Sequence, residues 1–282
     1  YPQQFVGCPP LDYDASLGQK MDDSFRKYYQ ATHEKPDKQG KHQFSYHIHG
    51  QKVPEHRIQV IQGIVPVSKI LDYARESGVT VTVLLSSLLM LAISGDMSVR
   101  DKRRPVVLSI PVNLRNYFAS ETARNFFGLI SVPYDFGHRC GTLEDLLEYN
   151  AQTFQRELTR DRLGARLNIL SKIEHNAFAR ATPLVLKDIC LRLAYDFSSW
   201  EETAALSNIG RVTMPKEMVP FIRLFHVFVS TDRLQICMCS FEDQMSISFS
   251  SAFTHTDIQR RFFRSLSGLG IPVTIISNQA EK

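Results

Sequence analysis

The sequence predicts an α/β fold of the two-layer α+β kind, with a mixed, largely antiparallel sheet flanked by helices. Three observations point there. The elements do not alternate strand and helix throughout: a β-α-α-β-β opening leads into a helical middle and then a block of strands, a pattern that disfavours a doubly wound parallel sheet. Neither GxGxxG nor GxxxxGK[ST] occurs, so the glycine-rich phosphate turns of such sheets are missing. The chain has 282 residues, 43% hydrophobic and 22% charged, which is ample for a large buried core.

Taken in order, a strand is expected near 57–65. It is followed by a helix over 67–77 in which Ile70, Leu71 and Ala74 recur at helical spacing and Ser68 lies near the N-terminus. Gly78 suits the C′ position, and Thr80 can cap a second, fully apolar helix reaching about residue 94. Strands are read at 105–112 ("PVVLSIPV") and 126–136 ("FFGLISVPYDF"), separated by a polar loop. Thr142 and Asp145 form a capping-box-like start for a helix that places Leu143, Leu146, Leu147, Phe154 and Leu158 on one face. Helical pattern continues over 165–180 and 183–195.

Strands are then expected at 206–214, 221–230, 233–241 and 245–253, with a Thr231–Asp232 hairpin link between the second and third. Thr254 and Asp257 are expected to cap a helix carrying Ile258, Phe262 and Leu266, and "IPVTIIS" at 271–277 reads as a closing strand. Residues 1–56 differ in kind. They are rich in Pro, Asp, Lys, Gln and His, allow one short helix around "MDDSFRKYYQ", and otherwise read as linker or surface crossover.

Bulk properties narrow the partners. The net charge is 33 − 29 = +4, and the short basic runs at 100–105 and 260–264 read as solvated faces, so nucleic acid is not expected. The longest apolar run, residues 83–93, falls short of the roughly 18–20 needed for a membrane span and holds two serines. Five cysteines at 8, 140, 190, 237 and 239 show no CxxC spacing, so neither a zinc site nor a disulfide framework is expected. Reduced thiols and a cytoplasmic location follow as expectations. Cys237 and Cys239 share one strand face as small core residues.

No residue set announces its chemistry. His226 sits in "RLFHVFVS" on the strand face of Leu224 and Phe228, where a core role outweighs that of a base. His47 and His49 share a strand face but lack a third metal ligand, and no Gly-x-Ser-x-Gly elbow occurs.

The order of segments carries more. "RIQVIQGIVPVSKILDYARESGVTVTVLLSSLLMLAI", then "SIPVNLR", "RNFFGLISV" and "LSNIGRV", resembles the alcohol acetyltransferase and condensation-domain branch of the CoA-dependent acyltransferases, relatives of chloramphenicol acetyltransferase, over roughly residues 45–276. The resemblance implies one of two related lobes enclosing a tunnel, in which an HHxxxD histidine deprotonates an alcohol or amine acceptor. This sequence has no HHxxxD. Its one HxxxD match, His33 to Asp37, lies in a charged Lys/Pro/Gln loop unlike the family's apolar setting.

The expectation is therefore a chloramphenicol acetyltransferase-like C-terminal lobe over 57–282, preceded at 1–56 by the crossover and tail of an absent N-terminal lobe. The start at Tyr1 rather than Met fits that reading. No catalytic residue, metal or permanently bound cofactor is expected in the chain. The implied partners are acetyl-CoA or another acyl thioester, including a carrier-protein thioester, an alcohol or amine acceptor, and the N-terminal lobe. Matched to the family's segments, the tunnel candidates are Asn113, Arg115, Asn125, Ser207, Asn208 and Arg211, with Pro111, Gly128 and Gly210 beside them. Two alternatives stay open for the first three: Asn113 and Asn125 as loop caps, and Arg115 in a structural ion pair. For the chain as a whole, two more remain. One is a complete acyltransferase with a His base at a subunit interface, and the other is a non-catalytic docking module.

Overall fold

The computed structural model describes residues 16–29, 44–175, 188 and 200–278. In chain order the elements are α1 (Leu17–Met21), α2 (Ser24–Tyr28), β1 (Gln59–Pro66), α3 (Val67–Glu76), α4 (Val81–Ser94), β2 (Val106–Asn113), β3 (Phe127–Tyr134), α5 (Leu143–Glu157), α6 (Arg160–His175), β4 (Ala204–Arg211), β5 (Leu234–Phe241), β6 (Gln244–Ser251), α7 (Asp257–Gly268) and β7 (Thr274–Ser277). They build one seven-stranded sheet in the order β3-β2-β4-β5-β6-β1-β7. Only the β2–β4 and β4–β5 ladders are parallel; the others are antiparallel. The expected mixed, largely antiparallel sheet is what forms. Strands β1, β2, β4 and β5 all run the same way, so their C-terminal ends gather at one end of the sheet.

The core lies between the sheet and its helices. Helix α4 opens on Thr80, whose hydroxyl accepts from Val83 N at 3.3 Å. Its apolar run is buried on every side, with Leu84, Leu85, Leu88, Leu89 and Met90 fully enclosed. Each such side chain contributes about 1.5–3 kcal/mol by leaving water. Ser87 sits in this helix because its hydroxyl is bonded twice: it donates to Val83 O at 2.9 Å and accepts from Asn150 Nδ2 of α5 at 2.9 Å. At β1, a Cβ on Gly63 would lie 2.2 Å from Phe263 Cε1, so the missing side chain is what lets α7 close onto the strand. Phe249 of β6 meets Phe262 and Phe263 there, with ring centroids 5.1 and 5.4 Å apart. On the opposite face the same strands carry small polar groups, and Gln62 Nε2 donates to Ser248 Oγ at 3.0 Å.

Several local expectations are revised. Residues 222–230, expected as a strand, join no ladder, and both edges of β5 are taken by β4 and β6. The hairpin forms instead between β5 and β6, turning at Glu242 and Asp243, with Glu242 at φ 49°. Thr256, not Thr254, precedes α7 and makes no side-chain cap, while Asp257 pairs with Arg260. Ser68 lies within the first turn of α3, held by Asp243 through its N and Oγ at 2.8 and 3.0 Å. Helix α6 starts at Arg160, ahead of the expected 165; apart from residue 188, the helix read at 183–195 lies outside the described residues, as does the His33–Asp37 match.

Candidate functional site

Six sequence-derived candidates fall on the C-terminal ends of β2 and β4 and the loop between β2 and β3. The β2–β4 ladder pairs only Leu108 with Ala204 and Ser109 with Ala205. Beyond that point the two strands part, and their polar ends are left facing the same end of the sheet.

Asn113 ends β2 as a cap. Its side-chain oxygen accepts from Arg115 N at 3.1 Å and starts the single turn Leu114–Asn116. Leu114 is buried and lies 3.3 Å from where a Gly128 Cβ would stand, so the loop closes tightly on the start of β3. The Arg115 guanidinium folds back over the loop: Nη2 donates to Thr122 O at 2.9 Å and to Arg124 O at 2.7 Å. Its partners are carbonyls rather than a carboxylate. Asn125 is exposed beside a cavity of about 220 Å³ that it shares with Asp23, Phe25 and Arg124.

The segment read as linker reaches this loop. Thr122 Oγ1 donates to Asp22 O at 2.6 Å, Arg124 Nε to Lys20 O at 3.0 Å, and Ala123 N to Gln19 O at 2.9 Å. Phe25, Tyr28, Phe118 and Phe126 complete the contact as an aromatic cluster, with Phe25 and Phe126 edge to face at 5.1 Å. Nothing in the sequence flagged 16–29 as the anchor of a loop about a hundred residues later.

On β4, Asn208 does two jobs. Its Nδ2 donates to Thr82 Oγ1 of α4 at 3.0 Å, and its Oδ1 accepts from Gly210 N at 2.9 Å. The ladder with β5 slips one residue between Asn208 and Gly210, and Gly210 takes φ +84°, a conformation that favours glycine. Ser207 stands opposite Cys237. Arg211 is exposed and lies 3.8 Å from Glu242.

The histidines are elsewhere. His226 is exposed on the unpaired 222–230 segment, with Nδ1 3.4 Å from Ser246 Oγ. His47 and His49 lie at the other end of the sheet, beside a cleft before β5. The Thr142 cap forms, accepting from Asp145 N at 3.3 Å, but the Asp145 carboxylate turns away to Arg139 Nε and Nη2 at 3.1 and 2.6 Å and to the Tyr134 hydroxyl. Those bonds, Arg139 first, hold Asp145 below the usual carboxylate range. Burial and then the Asp145 contact push Tyr134 up to about 12. Among the described residues no cluster of three His, Cys, Asp or Glu could hold a metal ion, and no single helix is long and apolar enough to cross a membrane.

No protein-family profile and no curated protein matches this sequence. Solved structures do match its fold. A protein of F. sporotrichioides in complex with coenzyme A and T-2 is 10% identical, with a TM-score of 0.50 over 81% of this chain and 56% of its own. A nonribosomal peptide synthetase bound to alpha-methyl-L-serine-AMP is 12% identical, with a TM-score of 0.50 over 78% of this chain and 23% of its own. The epimerization domain from the third module of tyrocidine synthetase B is 12% identical over 80% of this chain and 50% of its own, at a TM-score of 0.49. The chain thus spans 23% to 56% of the length of these structures. By its architecture, the chain shares the fold of these structures.

Proposed function

We propose that this chain is the C-terminal lobe of an alcohol acetyltransferase-type enzyme that moves an acyl group from acyl-CoA, or a carrier-protein thioester, to an alcohol or amine. It forms one wall of the substrate tunnel, works in the cytoplasm, and is inactive without an N-terminal lobe. The observation that carries this reading is the match of its sheet to about half of a coenzyme A-bound structure, in a sequence that holds no HHxxxD. The general base is then supplied by the other lobe, since acyl transfer needs a positioned proton acceptor beside the attacking hydroxyl or amine. This chain supplies a rigid wall. Asn113, Arg115 and Asn208 each bond within the chain at strand ends, and exposed Asn125 and Arg211 make no such loop bond, so they are the groups best placed to meet a ligand.

The test is a thiol-release assay with acetyl-CoA and a panel of alcohols and amines. The 282-residue chain alone is expected to show no turnover, and the chain joined to an HHxxxD-bearing N-terminal lobe is expected to release coenzyme A. Turnover by the chain alone that disappears in His226→Gln would overturn the proposal in favour of a self-contained site.

A further inference from the structure

The outer edge of β7 has no part in the reading above. β7 ends the sheet order and pairs only with β1 among the described residues. Asn278 N donates to Val60 O at 3.1 Å, so by the two-residue alternation of an antiparallel ladder Ile276 and Thr274 also turn their backbone groups inward. Ile275, between them, turns its N–H and C=O outward, where no strand meets them. Its half-exposed side chain shares a sheet face with Ile61, and on that face β7 and α7 border a groove of about 380 Å³. Ile61, Phe263 and Ile275 make an apolar floor, and α7 lines one wall with Gln259, Arg260 and Arg264. Gln259 is only 3% exposed, yet its side-chain amide has no hydrogen-bond partner among the described residues. Arg264 is exposed and pairs with no carboxylate among them, whereas Arg260 is matched by Asp257 at 2.6 Å. No carboxylate lines the groove, so Arg264 leaves it with one unmatched positive charge.

We infer that this groove docks an extended peptide segment of a partner protein by strand addition to β7, with an apolar residue on the floor and an acidic residue two positions along against Arg264. The Ile275 N–H and C=O supply main-chain bonds to the added strand. The Gln259 amide, which both donates and accepts, fits a peptide unit. Residues two apart on a strand point to the same face, so the apolar and acidic side chains both reach the helix wall. β7 spans only four residues, too few to hold a strand alone, so the groove supplies the selectivity and much of the affinity. A fatty acyl chain would fill the floor but leave the Gln259 amide and the Ile275 backbone groups unmet. A second copy offering its own β7, Thr-Ile-Ile-Ser, brings no acid to Arg264.

The experiment titrates a fluorescein-labelled peptide, Thr-Ile-Thr-Glu-Thr-Ser, with the 282-residue chain and follows its anisotropy. Saturable binding is expected, about five-fold weaker when the peptide's glutamate is replaced by lysine. Methylating every backbone nitrogen of the peptide is expected to abolish binding, since no strand can then donate. Arg264→Glu is expected to invert the preference, so that the lysine peptide binds tighter than the glutamate one. Gln259→Leu keeps an apolar side chain on the helix and is expected to weaken the glutamate peptide about five-fold without lowering the melting temperature. No saturable binding, equal binding of the methylated peptide, or an unchanged charge preference in Arg264→Glu would overturn the inference. Decanoate binding more tightly than the peptide would assign the groove to an acyl chain instead. A dimer in sedimentation that Ile275→Lys dissociates would assign it to a second copy. Acyl-transfer activity has no bearing on any of these results.

Discussion

The two ends of the sheet are both rich in polar side chains, yet they use them differently. At the C-terminal ends of β2 and β4, Asn113, Arg115, Thr122 and Asn208 each bond to a backbone group or side chain of this same chain. At the other end, Lys52 and Asp232 line a cleft, and His47 meets the Trp200 carbonyl through Nε2. The difference teaches that polar density at strand ends does not by itself mark a ligand site. What matters is whether the hydrogen-bonding capacity is already met, because a satisfied amide or guanidinium must give up a bond to make a new one.

The largest expected effect tests how firmly the first end is held. Buried Glu157 bonds Arg156, Arg162 and Arg166 at 3.2, 3.3 and 2.7 Å, and Arg166 also donates to Leu129 O of β3. Glu157→Ala strands three cations around an emptied site and is expected to cost about 3 kcal/mol in urea unfolding. A cost below about 1 kcal/mol would mean that solvent, not Glu157, balances those arginines.

The next comparison sets the two ends directly against each other. Asn208→Ala removes both the clamp to Thr82 and the support of the Gly210 bulge, for an expected loss of about 1–2 kcal/mol. Lys52→Ala, with no side-chain bond to lose, is expected to change stability by less than about 0.5 kcal/mol. Equal losses in thermal unfolding would erase the distinction between the ends.

The smallest effect concerns pH and shows that the cleft end also has a closed network, Tyr134–Asp145–Arg139. Asp145 is held below its ordinary value in the folded chain, chiefly by Arg139. Its contribution is therefore present above the unfolded carboxylate range and is lost as the pH falls through the lowered folded value. Asp145→Asn is expected to flatten that part of the acid limb in a stability–pH profile while leaving the neutral region little changed in shape.

Much of the fold could be read without coordinates. Helix α4 announces itself through Thr80 and an unbroken apolar run, β2 and β3 through β-branched residues on either side of a polar loop, and α5 through Thr142. The loop roles of the site residues were only half legible. Asn113 at a strand end is a local signal, since its partner is two residues away, and so is Asn208 to Gly210. The Asn208 bond to Thr82, the bracing of 119–126 by 16–29, and the meeting of His47 with Trp200 join residues far apart in sequence, and no local pattern encodes them.

Residues 221–230 mark the boundary most clearly. Their alternation has the form of a strand, but a strand is completed by its neighbour's amides and carbonyls, and β5 had none left to offer, so the segment opens in a 3-10 turn at Val219–Phe221 and joins no ladder. The amino-acid sequence by itself determined which segments would be helical, extended or turning, and that no HHxxxD histidine lies among them. Only the tertiary structure decided which extended segment entered the sheet, and which polar side chains close their bonds within the chain. The first depends on how β4 and β6 flank β5, and the second in part on contacts across a hundred or more residues, where packing rather than local preference sets the outcome.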